Sequence, residues 1–513
     1  MGEKTMATYQ AKIAFKIKRF KDFLLIFTRN RRGVLGVSIL VFFVAIALLA
    51  PLMTSYDPVK DNYLAGDYAT PIWLKYVPGT GSTESLNYLM LPETEVGFPT
   101  SASLLQEWNF TSPSTRVSLQ YDPTFGNKKA GSGTATFTRE AGKFSSEVTI
   151  AHLTKQFHYP FSGPPTRFSC QISFLAEGVE DIQQVEIVLF IKRVENVSAC
   201  TSYPLWSTKI FKSTPEWTQP YPAVDSYHSS LKERFGDITS DPARIVFSDS
   251  VDYIYDLELR FTDSPLTVGP VEVPVYLDDL NIKFYGSSFG LLGTDQRGRD
   301  IFSQLVYGTR ISLLVGLLSA FLSVVIGLAL GLIAGYLGRI VDEIIMRFTD
   351  MLLVLPSLPL LIVLIAVLGP SLWNLILLIG VLGWMGFARM VRSQVLSLRE
   401  RPFIEAAKAV GAGKSHIILK HILPNVMSLV YVTLAMSVPG AILSEAALSW
   451  LGLFDPRVMS WGRMLHDAQY EQGIDKLWWI GPPGLCIAVV SISFVLLGYA
   501  LDEILNPRLR QRR

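Results

Sequence analysis

The residue groupings that come nearest to reactive chemistry fail on spacing. Gly413-Lys414-Ser415 looks like the end of a phosphate-binding loop, but that pattern needs glycine five positions before Gly413, where Lys408 stands, and no strand precedes it. There is no HExxH metal motif and no readable Ser-His-Asp grouping. Three cysteines in 513 residues exclude a disulfide scaffold and a Cys-rich metal module. The expectation is a non-catalytic chain that itself holds no cofactor and no metal, with no nucleic-acid partner. The constellation that remains is mechanical. Ala406, Ala407 and Ala409 after Glu405 favour a short helix, Gly411 and Gly413 permit a sharp turn, and Ser415 can cap a second helix that runs on to His421-Ile422-Leu423-Pro424-Asn425. A compact helix-turn-helix of this kind could seat in a groove of a separate protein.

Five windows without Asp, Glu, Lys, Arg or His flank this loop and set its frame: 34–53, 311–338, 351–388, 422–444 and 477–501. About 20 apolar residues cross the hydrocarbon core as a helix, so each window is long enough to span. The third is too long for one crossing and is broken by Gly369-Pro370-Ser371, which predicts a hairpin of 351–368 and 372–388 and six spans in all. The first window follows 33 residues with nine Lys or Arg and exceeds a signal-peptide core, so it is read as a retained anchor. With the N-terminus inside, the cytoplasmic segments carry 22 basic and 9 acidic residues, and the opposite side 24 and 35. That asymmetry, +13 against −11, predicts both termini inside. A content of 49% hydrophobic and 18% charged residues, with mean hydropathy +0.32, excludes a disordered chain and argues against a purely soluble enzyme.

Residues 55–288 are a different material, rich in Ser, Thr, Gly, Pro and aromatics. Tyr255 to Phe261 and Leu280 to Phe284 alternate apolar and polar, which predicts strands with one face on a core and one in water. The fold class expected is an all-α polytopic membrane protein of six spans with an inserted all-β sandwich outside the membrane. The domains are 1–54, holding the first span, 55–288, and a five-helix core over 289–513 with its cytoplasmic loop at 389–425. The insert's texture and its stretch Val275 to Leu280 resemble jelly-roll modules that often bind carbohydrate. Trp108, Trp206 and Trp217 are candidates for stacking on sugars, or for core aromatics. Cys170 and Cys200 lie on the oxidising side, where a disulfide and two buried free thiols are both open. Asn109 and Asn196 match the glycosylation acceptor pattern. Proton- or sodium-coupled carriers place ionisable groups within their spans. The windows hold none, and Glu445, Asp502 and Glu503 are read as ordinary interfacial residues at span ends.

The loop from Glu405-Ala406-Ala407 through Gly411 to Leu423-Pro424 resembles the EAA loop of permease subunits of ATP-binding-cassette importers, with His421 where isoleucine is usual. Leu292-Gly293-Thr294-Asp295-Gln296-Arg297-Gly298-Arg299-Asp300, then Tyr307 to Ser312, resembles the lead-in to the second helix of the dipeptide/oligopeptide permeases; Asp342, Asp350 and Pro356 fit as well. The likeness covers residues 29–56 and 288–510, and the insert departs from it. The resemblance implies a type I importer in the cytoplasmic membrane, made of this subunit, a related second permease, two ATPases that bind ATP and Mg, and an extracytoplasmic substrate-binding protein, set among membrane lipid. It also implies short peptides as substrate. Oligosaccharide import by the same machinery is the alternative, and a membrane-anchored receptor or adhesin a further one.

Overall fold

The computed structural model describes residues 25–77, 88–90, 98, 100–161, 163–196 and 199–505. They form two compact units: Met1–Asp61 with Asp300–Arg513, and Asn62–Arg299.

The first unit is helical. Helices α1 (Arg31–Met53), α2 (Ile301–Leu337), α3 (Arg339–Val354), α4 (Ser357–Leu368), α5 (Leu372–Leu382), α6 (Met385–Arg399), α7 (Pro402–Ala409), α8 (Lys414–Ile417), α9 (Leu423–Trp450), α10 (Trp461–Tyr470) and α11 (Leu477–Leu505) follow in order. Five stretches, Arg31–Met53, Ile301–Leu337, Leu372–Arg399, Lys414–Trp450 and Leu477–Leu505, are long and apolar enough to cross a membrane. The expected helix over 351–368 differs. Its residues divide between α3 and α4, which meet at a 90° bend. Pro356 explains the break: it cannot donate to the helical ladder, and it pushes Leu355 into extended backbone. A sixth span is reached only if this bent pair is counted as one.

Close packing sets where α6 sits. Gly327, Gly331 and Gly335 recur every fourth residue on α2, and a Cβ there would meet Trp384 O, Ala388 O and Val395 Cβ at 2.8, 2.7 and 2.7 Å. Small residues at this spacing let two backbones approach closely, which is how helices associate in lipid. At the ends, Asp300 caps α2 by accepting from Phe302 N (3.3 Å) and Ser303 N (3.0 Å). Asn30 caps α1 through Arg32 N and Gly33 N, and its amide donates to Glu503 near the end of α11 (3.0 Å).

The second unit is an antiparallel two-sheet sandwich. One sheet runs β3 (Val117–Asp122), β4 (Ser132–Arg139), β11 (Val271–Tyr285), β6 (Arg167–Ala176) and β9 (Val224–Asp225), with β1 (Tyr88–Met90) also on β11. The other runs β2 (Asn109–Thr111), β5 (Thr149–His158), β10 (Asp252–Thr262), β7 (Gln184–Asn196) and β8 (Ala199–Ile210). Val273, Val275 and Leu277 of β11 share one core with Leu257, Leu259 and Phe261 of β10. The alternation places these residues as expected, but not their polar neighbours. Asp256 and Glu258 on central strand β10 are buried, because long side chains of adjoining strands cover them. Asp256 pairs with Lys192 Nζ (2.5 Å) and His152 Nδ1 (3.1 Å), and Glu258 with Arg260 Nε (2.5 Å).

Candidate functional site

The loop singled out above begins at Pro402, whose missing N–H costs nothing at the first helical position. Helix α7 has two faces. Ile404 is fully buried in a cluster with Val395, Ile417, Ile422 and Val426, while Phe403, Ala406 and Val410 look outward, Val410 at 88% exposure. Glu405 and Lys408 are also exposed. The helix ends in a Schellman motif: Ala412 N donates to Ala407 O (3.0 Å), Gly411 N donates to Lys408 O (3.0 Å), and Gly411 takes φ = +83°.

Two details of the expected loop change. Gly413 has φ = −64°, so the turn rests on Gly411 alone, and it is Gly413 that precedes α8, with no side-chain cap. Ser415 lies inside α8 rather than capping it, since the Schellman turn closes one residue earlier than the spacing suggested. Ile418–Ile422 then widens into a π-turn before α9. Pro424 cannot donate back along the helix, and Asn425 Nδ2 takes up His421 O (2.6 Å). His421 itself lies half-buried beside His416, ring centres 5.7 Å apart, while Ile422 fills the core position. Leu423 is partly buried and Pro424 exposed. An eight-residue helix presenting an apolar outward stripe, stiffened by α6 behind it, can transmit force to whatever it docks on.

The lead-in motif is a scaffold. Thr294 Oγ1 donates to Gly66 O (2.6 Å) and accepts from Ala69 N (2.9 Å). Asp295, fully buried, accepts from Arg297 N, Arg299 N and Arg299 Nε at 2.8, 2.9 and 2.6 Å. Gly293 has φ = +73°, and a Cβ there would lie 2.1 Å from Ala69 O. Gly298 closes the turn. Nearby, burial pushes the Asp67 carboxyl up to about 6, against the pull of Arg167.

The sequence missed Glu445. It is not an ordinary exposed span-end charge: at 2% exposure it is buried within α9, its Oε1 accepting from Ser449 Oγ and Ser460 Oγ, each at 2.7 Å. Ser460 in turn caps α10 through Arg463 N (3.1 Å). Glu445 with serine four residues on, closing an uncharged window, was the available signal. Between α9 and α10, Asp455 accepts from Leu372 N (3.2 Å), and the Arg457 guanidinium beside it holds its carboxyl down to about 2.

The remaining candidates in the sandwich resolve mostly as structure. Trp108 and Trp206 are core residues, packed on Tyr255 and Phe174; Trp217 is partly exposed beside Phe125. Cys170 and Cys200 are free thiols in opposite sheets, the first buried and the second exposed. Asn109 is exposed on β2; Asn196 ends β7, and the next two residues of its acceptor pattern lie outside the described residues. Cys486 is a half-buried residue of α11.

Comparison with known proteins decides the family. Residues 327–511 match the binding-protein-dependent transport system inner membrane component, and residues 18–71 the N-terminal transmembrane domain of oligopeptide transport permease C. The dipeptide transport system permease protein DppC of Alkalihalophilus pseudofirmus is 43% identical over 220 residues, covering 42% of this chain and 72% of that one. The chain belongs to the dipeptide/oligopeptide permease family. OppC of Haemophilus influenzae, the oligopeptide transport system permease protein, is 37% identical over 249 residues, covering 47% of this chain and 80% of that one. Among solved structures, the MetNI methionine ABC transporter in inward-facing form aligns with TM-score 0.30 and 22% identity, over 41% of this chain and 96% of that one. A xylan-binding module of Paenibacillus barcinonensis aligns with TM-score 0.22 and 15% identity, over 37% and 97%. Permeases of this family are multi-pass, non-catalytic membrane subunits, and membership implies a partner permease, an ATPase and a binding-protein subunit.

Proposed function

We propose that this permease forms half of the membrane channel of an importer for short peptides, paired with a related second permease, two ATPases and an extracytoplasmic binding protein. Both termini and the loop Glu405–Asn425 face the cytoplasm, and Asn62–Arg299 lies outside. ATP and Mg bind on the partner subunits, whose closure moves the loop and, through α6 and α2, opens the path to one side and then the other. What carries this reading is the Schellman-terminated helix Pro402–Ala409, which buries Ile404 against the membrane bundle and turns Phe403 and Val410 outward. Peptide identity is supported by the permease relatives, whose names are those of peptide transporters. The test is reconstitution of the full complex in vesicles. Peptide loaded on the binding protein should raise ATP hydrolysis and accumulate inside. Stimulation by xylo-oligosaccharides, with none by peptides, would move the substrate class to sugars.

A further inference from the structure

Helix α3 has two chemically opposed sides. Ile340, Ile344, Phe348 and Met351 recur at helical spacing and are all exposed. On the other side Asp342 accepts from Arg392 Nε and Nη2 at 2.5 and 2.6 Å, and Asp350 pairs with Arg389, so two ion pairs bind α3 to α6. A cavity of about 500 Å³ lies along this polar side. Arg339, Arg347, Arg389 and Arg392 line it with Asp342, Glu343 and Asp350, a net charge of +1. Two of the carboxylates are taken by Arg389 and Arg392. Among the described residues, the guanidiniums of Arg339 and Arg347 have no acceptor.

At 16 residues α3 is about 24 Å long, and it stands at 90° to α4. A bilayer entered by α4 would have α3, turned through 90°, along its surface, with one side of α3 apolar and the other lined by arginines. That is the composition of a helix seated among headgroups. A guanidinium fork matches phosphate oxygens two at a time. Basic pockets between helices at the cytoplasmic side take phospholipid headgroups, with each arginine adding attraction to an anionic leaflet.

We propose that the cavity between α3 and α6 binds the phosphate headgroup of an anionic phospholipid, held by Arg339 and Arg347, with its acyl chains along Ile344, Phe348 and Met351. A free phosphate would use the arginines but leave the apolar stripe without a role, and an acidic protein segment would not require it either.

The test uses the full chain, purified with an equal mixture of phosphatidylglycerol and phosphatidylcholine and examined by native mass spectrometry. Phosphatidylglycerol should be retained over phosphatidylcholine. Arg339→Gln and Arg347→Gln should each weaken that retention roughly five-fold, with unchanged melting temperature, and Arg347→Lys should keep most of it. Inorganic phosphate should not displace the lipid. Equal retention of both lipids by the unmodified chain, or glutamine variants that hold phosphatidylglycerol as well as it does, would overturn the proposal. So would displacement by inorganic phosphate, or phosphatidylglycerol displaced whenever an ATPase subunit binds, which would assign the cavity to an acidic protein surface.

Discussion

Replacing Gly411 isolates the backbone contribution of the loop from its contacts. The residue has φ = +83°, and a Cβ added there meets nothing within 4 Å, so steric collision with neighbours is not in play. What remains is the cost of a left-handed conformation for an L-residue, about 1–2 kcal/mol, lower for asparagine and higher for a β-branched side chain. If the turn relaxes instead, the bonds from Ala412 N to Ala407 O and from Gly411 N to Lys408 O go with it. Each is worth roughly 1 kcal/mol. A bias of about 1.4 kcal/mol changes a conformational population tenfold. Transport in the reconstituted complex should therefore fall in the order Gly, Asn, Ala, Val at position 411, with valine about tenfold or more below the unmodified chain. Assembly, followed by co-purification of the ATPases, should persist, because Ile404 still anchors the helix. Gly411→Asp, which also adds a charge to the docking surface, should abolish substrate-stimulated hydrolysis. Full transport by the valine variant would show that the turn carries no force and would refute the reasoning.

Glu445→Ala should lower the melting temperature in detergent, because it strands the hydroxyls of Ser449 and Ser460 at roughly 1–3 kcal/mol each. Glu445→Gln keeps an acceptor and should melt near the unmodified chain; equal losses in both variants would contradict the network. A membrane-impermeant maleimide applied from outside should label Cys200 at once and Cys170 only after unfolding, since burial pushes the Cys170 thiol up; a single unlabelled disulfide species would be inconsistent with that. Asp67 binds its proton more tightly folded than unfolded, with a carboxyl raised from 3.8 to about 6. The contribution of Asp67 to the stability of the sandwich is therefore greatest at low pH and falls as pH rises from about 4 to about 6, then levels off. Because Asp67 is partly exposed, solvent screening leaves this contribution on the order of 1 kcal/mol. Asp67→Asn should remove the slope, as read by thermal melting at about pH 5 and about pH 7. Deleting the insert should leave peptide uptake dependent on the binding protein, and uptake that persists without that protein would contradict the proposed importer.

The spans were legible because lipid imposes one demand, an uncharged stretch of sufficient length, and 34–53 or 477–501 meet it without help from tertiary structure. The sandwich strands were legible for a similar reason, since Leu257, Leu259 and Phe261 must share a face. What escaped was context. The bend at Leu355-Pro356 was hidden because an uncharged window and a continuous helix are not the same thing: α3 begins among the charges before that window. Glu445 was misplaced because position along a span does not reveal whether serines wait beside it. Asp256 and Glu258 alternate correctly, but whether the outer face of a strand meets water depends on which strands flank it. In the loop, the helix and Gly411 could be read from composition; which residue precedes α8 depended on where the Schellman turn closes.

The sandwich begins and ends at one point. Tyr63 N donates to Arg297 O at 2.8 Å and Leu64 N to Gly298 O at 2.9 Å, so the first and last residues of Asn62–Arg299 run side by side. To the host polypeptide, a segment of this length thus occupies the footprint of a tight hairpin. Domains whose termini adjoin are the ones that chains accept as insertions and give up again without disturbing their surroundings. Thr70 and Ser288 also pair, so the stretch between them is a natural graft: excised there and rejoined by a few residues, it should leave a permease that keeps its Leu292–Asp300 motif, and carried onto another membrane protein between two neighbouring residues of a surface turn, it should fold there.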